Sequence, residues 1–349
     1  MRKLASVQCV WKTEPIPDAD RIELGHVLGW QCVVNKGEFQ PMDLGVYFEI
    51  DSFLPIRPEF EFLRSSSYKK TDIMGEGFLL RTKKFRGQIS QGLVLPLTAF
   101  PELAGECWEP GDDVTDILGV RKYEIEERAT TGGNVIGMLP YDVPHTDETR
   151  VQAEPGLIQE FAGMEFYIST KMDGSSHSVS LDENGFHVTG HNYEYKDDDS
   201  SAFYRYVNSI GLREKMEALV SETGDIRTLT IQGEFCAPGI QQNRLKLKKP
   251  AWYVFTVRVN GERVTLESME MICNRLNLTT VPIEEIGENL PAIYPTVEAL
   301  LERADGEYPN GGKKEGIVVR PTVPVYSPTI GAELSMKIVN NKYLLKQKD

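Results

Sequence analysis

The residue best suited to chemistry in this sequence is a lysine that ends an apolar run. Lys171 follows the apolar and β-branched residues 167–170 and precedes an Asp-Gly pair, Asp173 and Gly174. This pattern predicts a strand that ends in a turn, with the Lys171 amine facing a loop. A lysine amine is nucleophilic only when neutral, so such a site is expected to lower its pKa from about 10.4 towards roughly 7 to 8. Gly174 would let the backbone approach a ligand closely, and Asp173 would either bind a ribose hydroxyl or brace the turn.

Four later stretches each place a functional side chain beside an apolar run. They contain, in chain order, Glu234 in residues 232–235, Tyr253 and Phe255 in residues 252–255, Glu315 in residues 314–320, and Lys337 in residues 335–339. A glutamate after a strand is usually a surface residue, and a lysine beside Asp-Gly usually contacts water. The ordered series is far more specific than any one member, and it indicates a site built around Lys171.

The ordered series resembles the covalent nucleotidyltransferase superfamily, which comprises ATP-dependent DNA and RNA ligases and mRNA capping enzymes. The resemblance covers about residues 144–349. It implies that Lys171 becomes covalently nucleotidylated and that Glu315 binds a divalent metal. The other implied roles are nucleotide contacts: Asp173, Gly174 and His191, Glu234 beside the ribose or the metal, Phe255 or Tyr253 on the purine, and Lys337 on a phosphate.

Two positions depart from the common ligase pattern. His191 stands where related ligases carry an arginine, although a histidine can still donate a hydrogen bond. Ser335 stands where the last motif usually begins with a lysine, so only Lys337 matches there. The sequence leaves open whether Lys342 or Lys346 supplies the missing charge.

The first 120 residues contain short apolar runs separated by turns, which is the pattern of a small β-barrel. Strands are predicted at residues 4–10, 22–28, 31–34, 46–50, 77–81 and 93–95. The turn sequences at residues 17–22 and 86–93 resemble those of oligonucleotide-binding (OB) barrels attached to some tRNA-handling proteins. Such barrels stack bases on aromatic side chains, here Trp30 or Phe85, unless those side chains pack in the core.

The predicted fold class is α+β: an OB-type β-barrel followed by a nucleotidyltransferase domain of antiparallel sheets with flanking helices. We expect an OB-like nucleic-acid-binding domain at residues 1–122, a linker at 123–143 and the adenylyltransferase domain at 144–349. The small and flexible residues 129–134 locate the linker. In the second domain the patterns predict a hairpin over residues 178–188, strands at 228–235 and 317–319, and helices at 212–221, 269–276 and 296–303.

Composition and charge indicate how the protein can bind nucleic acid, whether its cysteines are reduced, and whether it spans a membrane. The formal net charge of −14 argues against indiscriminate binding to nucleic acid. Three basic clusters are nevertheless compatible with a confined polyanion groove: a basic strip formed by Arg81, Lys83, Lys84 and Arg86, a second cluster formed by Arg244, Lys246, Lys248 and Lys249, and a third formed by Lys337, Lys342, Lys346 and Lys348. Any one of them alone is more typical of a solvated face. The five cysteines are widely spaced and are predicted to be reduced and mostly buried. No apolar run approaches the roughly 18 residues of a membrane span, so we expect a cytoplasmic protein without a membrane partner.

The order of the domains separates the possible chemistries. Only 12 residues follow Lys337 (349 minus 337), too few for the C-terminal OB domain of many DNA ligases and capping enzymes. An OB-like domain before the lysine resembles the fifth ATP-dependent RNA ligase family. That resemblance implies sealing of 3′-OH/5′-phosphate breaks in nicked duplex RNA or an RNA/DNA hybrid, through lysyl-AMP, with ATP and Mg²⁺ or Mn²⁺. We expect a monomer; the alternatives are an ATP-dependent DNA ligase or a catalytically impaired RNA-binding protein.

Overall fold

The computed structural model describes residues 2–123, 133–140 and 143–345. These residues fall into two compact units. The first comprises residues 2–123, 152–155 and 344–345, and the second comprises residues 133–140, 143–151 and 156–343. Within these ranges, no helix is both long enough and apolar enough to cross a membrane.

The first unit is built mainly from short antiparallel strands. They are β1 (Ala5–Pro15), β2 (Ile22–Val27), β3 (Trp30–Asn35), β4 (Asp43–Phe48), β5 (Ser52–Leu54), β6 (Tyr68–Thr71), β7 (Gly75–Leu79), β8 (Lys83–Phe85), β9 (Gln88–Ser90), β10 (Leu93–Pro96) and β11 (Arg121–Lys122), with a short helix α1 (Arg64–Ser67). Short 3₁₀ turns cover Pro58–Leu63, Leu97–Ala99 and Pro101–Leu103. One sheet has the order β10-β4-β1-β2-β3, a second has the order β11-β5-β7-β6, and β8 pairs with β9.

The two larger sheets of the first unit bury one apolar core. Val7 of β1 and Phe48 of β4 pack in the same cluster as Leu54 of β5 and Phe78 of β7, and all four are fully buried. Strands of both sheets thus turn one face inwards, as in a small β-barrel. Trp30 is only 1% exposed, so of the two roles that the sequence left open for it, packing in the core is the one that the structure supports.

The β8–β9 hairpin carries the basic strip and keeps its aromatic residue at the surface. Phe85 is 42% exposed. The two turn residues, Arg86 and Gly87, have φ of 47° and 85°, as the tight type I′ turn of a two-residue hairpin requires. The base of the hairpin is anchored on β3, because Gln31 Nε2 donates to the Ile89 carbonyl at 2.6 Å.

The second unit contains two main sheets with flanking helices. Its elements are β12 (Val135–Met138), α2 (Leu157–Glu160), β13 (Glu165–Lys171), β14 (Ser175–Asp182), β15 (Gly185–Thr189), β16 (Tyr193–Tyr195), α3 (Ala202–Ser209), α4 (Leu212–Thr223), β17 (Leu229–Cys236), β18 (Ala251–Val259), β19 (Glu262–Arg263), α5 (Leu266–Leu276), β20 (Thr279–Thr280), β21 (Ile283–Glu288), α6 (Leu290–Ile293), α7 (Val297–Ala304), β22 (Gly316–Pro321), β23 (Tyr326–Ser327), β24 (Ala332–Glu333), β25 (Met336–Val339) and α8 (Asn341–Leu344). The larger sheet has the order β12-β16-β15-β14-β17-β18-β19, with β20 beside β18, and the smaller has the order β21-β13-β22-β25. Strands β23 and β24 form a separate pair.

Helices cover each sheet of the second unit and leave strand ends for the site. Helices α3, α4 and α5 bury apolar side chains in the same core cluster as β14 and β17. Helices α2, α6 and α7 do so with β13, β22 and β25. A smaller apolar cluster joins the two sheets, with Met172 just after β13, Cys236 at the end of β17, and Tyr308 before β22.

The elements predicted for the second unit are confirmed, with ends shifted by a few residues. The strand predicted at 228–235 is β17, and the Asp182–Gly185 hairpin joins β14 to β15. The helix predicted at 296–303 is α7, whose N-cap Thr296 accepts a hydrogen bond from the Ala299 N–H at 3.2 Å.

The stretch expected to be a linker is not irregular throughout. Within residues 123–143, β12 forms a strand that pairs with β16 of the larger sheet. Residues 124–132 and 141–142 lie outside the described residues. The domain boundaries therefore stay a prediction. All five cysteines are free, and Cys32, Cys236 and Cys273 are buried, as expected.

Candidate active site around Lys171

The ends of several strands bring the predicted site residues together in the second unit. Lys171, the last residue of β13, pairs with Gly316, the first residue of β22, so Glu315 lies beside it. Glu234 on β17 pairs with Ser176, just past the turn that follows Lys171. One cavity of about 170 Å³ is lined by five predicted residues: Lys171, His191, Glu234, Phe255 and Lys337.

The amine of Lys171 is held in an ion pair. Nζ lies 2.9 Å from Oε1 of Glu315. Burial opposes the charged form of Lys171, but the carboxylates of Glu315 and Glu234 outweigh burial and raise its pKa above the ordinary value. The expectation of a lowered pKa is therefore wrong for the chain alone: Glu234 and Glu315 were predicted as nucleotide and metal contacts, but they also lie close enough to Lys171 to keep its amine protonated.

Glu234 braces the turn after Lys171 and carries a perturbed carboxyl group. Its Oε1 accepts a hydrogen bond from the Gly174 N–H at 3.0 Å. Burial raises the pKa of Glu234 to about 7, while the positive charge of Lys171 acts in the opposite direction. Near neutral pH this carboxyl group is poised between its two forms, and a cation bound beside it would favour the charged form.

Asp173 is bound within the protein on both of its carboxylate oxygens. Oδ2 lies 2.5 Å from Nη1 of Arg244, and Oδ1 accepts a hydrogen bond from the Tyr343 hydroxyl at 2.8 Å. Asp173 is 3% exposed and is not among the residues that line the Lys171 cavity. Of the two roles that the sequence left open, this geometry favours bracing of the turn over contact with a ribose.

Gly174 is needed because the turn packs closely against β17. A Cβ at this position would lie 2.5 Å from the carbonyl oxygen of Phe235 and 2.7 Å from Sγ of Cys236. These distances are well inside van der Waals contact, so no side chain fits without displacing the strand that carries Glu234. The structure thus shows a close approach between Gly174 and a neighbouring strand, and the close approach to a ligand predicted there stays a prediction.

The aromatic residues Tyr253 and Phe255 lie two residues apart on β18. Phe255 lines the Lys171 cavity, whereas Tyr253 lines an adjoining cavity of about 360 Å³. The Arg320 guanidinium lies 5.7 Å from the centre of the Phe255 ring and is ion-paired with Glu148. Phe255 is therefore the aromatic residue positioned to contact a ligand beside Lys171.

The two positions that depart from the ligase pattern have different surroundings. His191 lines the cavity, and its Nε2 lies 3.7 Å from Oδ2 of Asp147. Ser335 is only 3% exposed. Lys342, one of the two lysines considered as its substitute, pairs with Asp305 and does not line the cavity. Lys346 lies outside the described residues.

A segment that sequence reasoning assigned no role, residues 144–150, also borders the site. Thr146 Oγ1 lies 2.6 Å from Oγ of Ser176, and Thr146, Asp147 and Glu148 line the cavity. The segment pairs with β25, where the Lys337 N–H donates to the Thr149 carbonyl at 2.8 Å. Its place just before the lysine motif was the only available signal, because its polar residues follow no periodic pattern.

The carboxylates beside Lys171 suit a hard divalent cation that is also bound by a phosphate. Mg²⁺ and Mn²⁺ prefer oxygen ligands, and Mg²⁺ usually takes only one or two carboxylates together with waters and substrate phosphates. Glu234 and Glu315 supply two such groups around one amine. Among the described residues, no cluster of three or more histidine, cysteine, aspartate or glutamate side chains could hold a metal alone.

Comparison with protein families gives two matches, one in each unit. A family described as an OB-fold domain matches residues 4–97, and a family described as RNA ligase matches residues 164–339. The predicted architecture, an OB-type barrel followed by a sheet-rich domain with helices, is confirmed by these matches. A search of the curated proteins found no match.

Several solved structures resemble the whole chain. Naegleria gruberi RNA ligase with PPi is 34% identical, with a TM-score of 0.88 and coverage of 100% of both chains. A glutamate-to-alanine variant of that ligase, with ATP and Mn, has the same identity, TM-score and coverage. A lysine-to-methionine variant with AMP and Mn has a TM-score of 0.89 at 34% identity, again with 100% of both chains covered.

Proposed function

Since this chain belongs to the RNA ligase family, we propose that it is an ATP-dependent RNA ligase acting through a lysyl-AMP intermediate. The observation that carries the proposal is the 2.9 Å contact between Glu315 and Lys171, which lines a cavity together with Glu234, Phe255 and Lys337. An amine, two carboxylates, an aromatic ring and a second cation are the groups that adenylyl transfer from ATP requires. The ATP and Mn in the Naegleria gruberi ligase structures support the same cofactors here.

In the first step, Nζ of Lys171 attacks the α-phosphorus of ATP. An N–P bond forms, the bond to the β-phosphate oxygen breaks, and pyrophosphate leaves with the electron pair. Glu315 and Glu234 would hold Mg²⁺ or Mn²⁺, which when bound neutralises charge on the phosphates. A cation bound by these carboxylates would offset their negative charge, which would lower the pKa of the Lys171 amine and let the amine lose its proton to solvent before it attacks.

The remaining residues of the cavity would bind the nucleotide. Phe255 would stack on the adenine ring, since it lines the cavity beside Lys171. Lys337 would neutralise a phosphate, and His191 would donate a hydrogen bond to phosphate or ribose. Asp173 and Gly174 would act on the nucleotide indirectly, by fixing the turn that follows Lys171.

Two further transfers would complete sealing. AMP passes from Lys171 to the 5′-phosphate of the RNA, and the 3′-OH then attacks that phosphate and releases AMP. We propose nicked duplex RNA or an RNA/DNA hybrid as the substrate. In the first unit, the exposed residues Lys84, Phe85 and Arg86 would help to grip it, since cations neutralise phosphates and an exposed ring can stack on a base.

Sealing of matched nicks tests the choice of RNA over DNA. Two nicked duplexes would differ only in whether the two nucleotides at the 3′-OH side are ribo or deoxy. We expect faster sealing of the ribo substrate, because a site built around a 2′-OH leaves polar groups unpaired when the hydroxyl is absent. Equal rates would refute the preference for RNA and favour a DNA ligase that uses the same lysyl-AMP chemistry.

A further inference from the structure

We propose that Tyr308 and Glu284 are positioning residues that hold Lys171 and Glu315 together for adenylyl transfer. The proposal rests on the proposed function of Lys171 and Glu315. Both positioning residues lie outside the motifs of the sequence, and neither belongs to the set that lines the Lys171 cavity. Both lie beside the adjoining cavity of about 360 Å³, on the other side of Thr170 and Met172.

The hydroxyl of Tyr308 links the two site residues directly. It donates to the carbonyl oxygen of Lys171 at 2.7 Å and accepts a hydrogen bond from the N–H of Glu315 at 3.2 Å. The strand ladder ends at the Lys171–Gly316 pair, so this hydroxyl makes the next cross-link beyond the ladder. The ring of Tyr308 is buried in a cluster with Met172, and it can keep that packing without the hydroxyl.

Glu284 links the residues that precede the same two positions. Its carboxylate accepts from Oγ1 of Thr170 at 2.7 Å and lies 2.8 and 2.9 Å from Nζ of Lys314. Thr170 precedes Lys171, and Lys314 precedes Glu315. Arg303 of α7 donates to the same carboxylate at 2.8 Å, so the link is tied to a helix.

The burial of charged groups in this network indicates a role other than stabilising the fold. The side chain of Lys314 is 7% exposed, so the network keeps a charged pair largely out of water. Buried ion pairs are weak sources of stability, because desolvation offsets most of their attraction. What the network does provide is a fixed geometry for the two backbone segments that end at Lys171 and Glu315.

A fixed geometry matters because nucleophilic attack tolerates little displacement of the amine. A misplacement of about 1 Å can lower the rate of such a step about 100-fold. Asn340 also holds the backbone at Glu315, because its N–H donates to the Glu315 carbonyl at 2.8 Å. Loss of one link should therefore loosen the pair without releasing it, and we expect a loss nearer tenfold than complete.

The test measures single-turnover formation of lysyl-AMP in the full chain, with ATP varied at fixed Mn²⁺. Tyr308→Phe and Glu284→Gln are each expected to lower the maximal rate at least tenfold while the half-saturating ATP concentration stays within twofold. The matched control is Glu285→Gln, since Glu285 also bonds Arg303, at 3.1 Å, but has no bond to Thr170 or Lys314 among those found in the described residues. It should stay within twofold of wild type.

A second pair of variants separates positioning from folding. Thr170→Val removes the hydroxyl that reaches Glu284 at nearly constant volume, and Thr170→Ser retains it. We expect Thr170→Val to lower the rate and Thr170→Ser to restore most of it, with similar thermal unfolding of both. Rates of Tyr308→Phe, Glu284→Gln and Thr170→Val within twofold of wild type would overturn the proposal. Failure of the wild-type chain to form lysyl-AMP would instead reject the proposed function.

Discussion

Replacement of Asp173 by asparagine distinguishes a brace from a ribose contact. The asparagine keeps the shape of the side chain but removes its charge and turns one acceptor oxygen into an N–H donor. It must then point its amide group at Arg244 or at the Tyr343 hydroxyl, and both of these now donate to Asp173. The Arg244 guanidinium also lies 4.3 Å from the centre of the Tyr343 ring, so the two side chains are in contact. Both would lose the anion that they share, the Asp173 carboxylate.

The size of the effect follows from burial of the pair. Asp173 is 3% exposed, and the side chain of Arg244 is 11% exposed. Breaking a buried ion pair by neutralising one partner costs about 3 to 5 kcal/mol, and we expect about 3 because the amide can retain one hydrogen bond. At roughly 2 to 4 °C per kcal/mol for a unit of this size, Tm should fall by roughly 6 to 12 °C.

The assay combines thermal unfolding with lysyl-AMP formation at varied ATP. We expect Asp173→Asn to lower Tm while the half-saturating ATP concentration, measured well below Tm, stays within twofold. The control is Glu217→Gln, which breaks an exposed pair with Arg213 and should cost less than about 0.5 kcal/mol. An unchanged Tm together with a large rise in half-saturating ATP, greater for ATP than for 2′-deoxyATP, would refute the brace and restore the ribose contact.

Three further changes probe packing, pH and RNA contact. Gly174→Ala should lower the free energy of unfolding by about 1 to 3 kcal/mol, because its Cβ would lie 2.5 Å from a backbone oxygen. The control Gly156→Ala has nothing within 4 Å of its Cβ and should leave the free energy of unfolding unchanged. Equal Tm values for the two variants would contradict this prediction. Burial lowers the pKa of His177 to about 4, so the unfolded chain takes up the proton first, and unfolding free energy should fall by up to about 3 kcal/mol as pH drops from about 6.5 to 4. In urea unfolding, His177→Phe should reduce this dependence of the unfolding free energy on pH. An unaltered dependence on pH would mean that it arises from other titratable groups. The double change Lys84→Ala and Arg86→Ala should weaken RNA binding while lysyl-AMP formation is unchanged. The slope of the logarithm of RNA affinity against the logarithm of salt concentration should become shallower by up to about one unit per lost phosphate contact. An unaltered slope would show that the hairpin is not part of the RNA-binding surface.

The sequence was most informative where a site residue ends a strand. Lys171, Glu234 and Glu315 each lie within two residues of a strand end, and regular pairing then brings them together, as the Lys171–Gly316 and Ser176–Glu234 pairs demonstrate. Apolar patterns predict strands, and strands fix the direction of pairing, so these contacts follow from local signals.

Other features depend on tertiary contacts that leave no local pattern. Tyr253 and Phe255 share a face of β18 because they are two residues apart, so alternation alone could not choose between them. Tyr308 and Glu284 are single polar residues whose partners lie far away in the chain.

The most direct measurement of the central claim is the mass of the purified chain after incubation with ATP and Mg²⁺ or Mn²⁺. We expect a gain equal to one AMP in wild type, located on Lys171 by peptide mapping, and no gain in Lys171→Ala. Glu315→Gln should remain folded and, compared well below its own Tm, should gain much less AMP in the same time. A gain of AMP by Lys171→Ala would contradict the assignment of the nucleophile, and no gain by wild type with either metal would indicate a catalytically impaired RNA-binding protein.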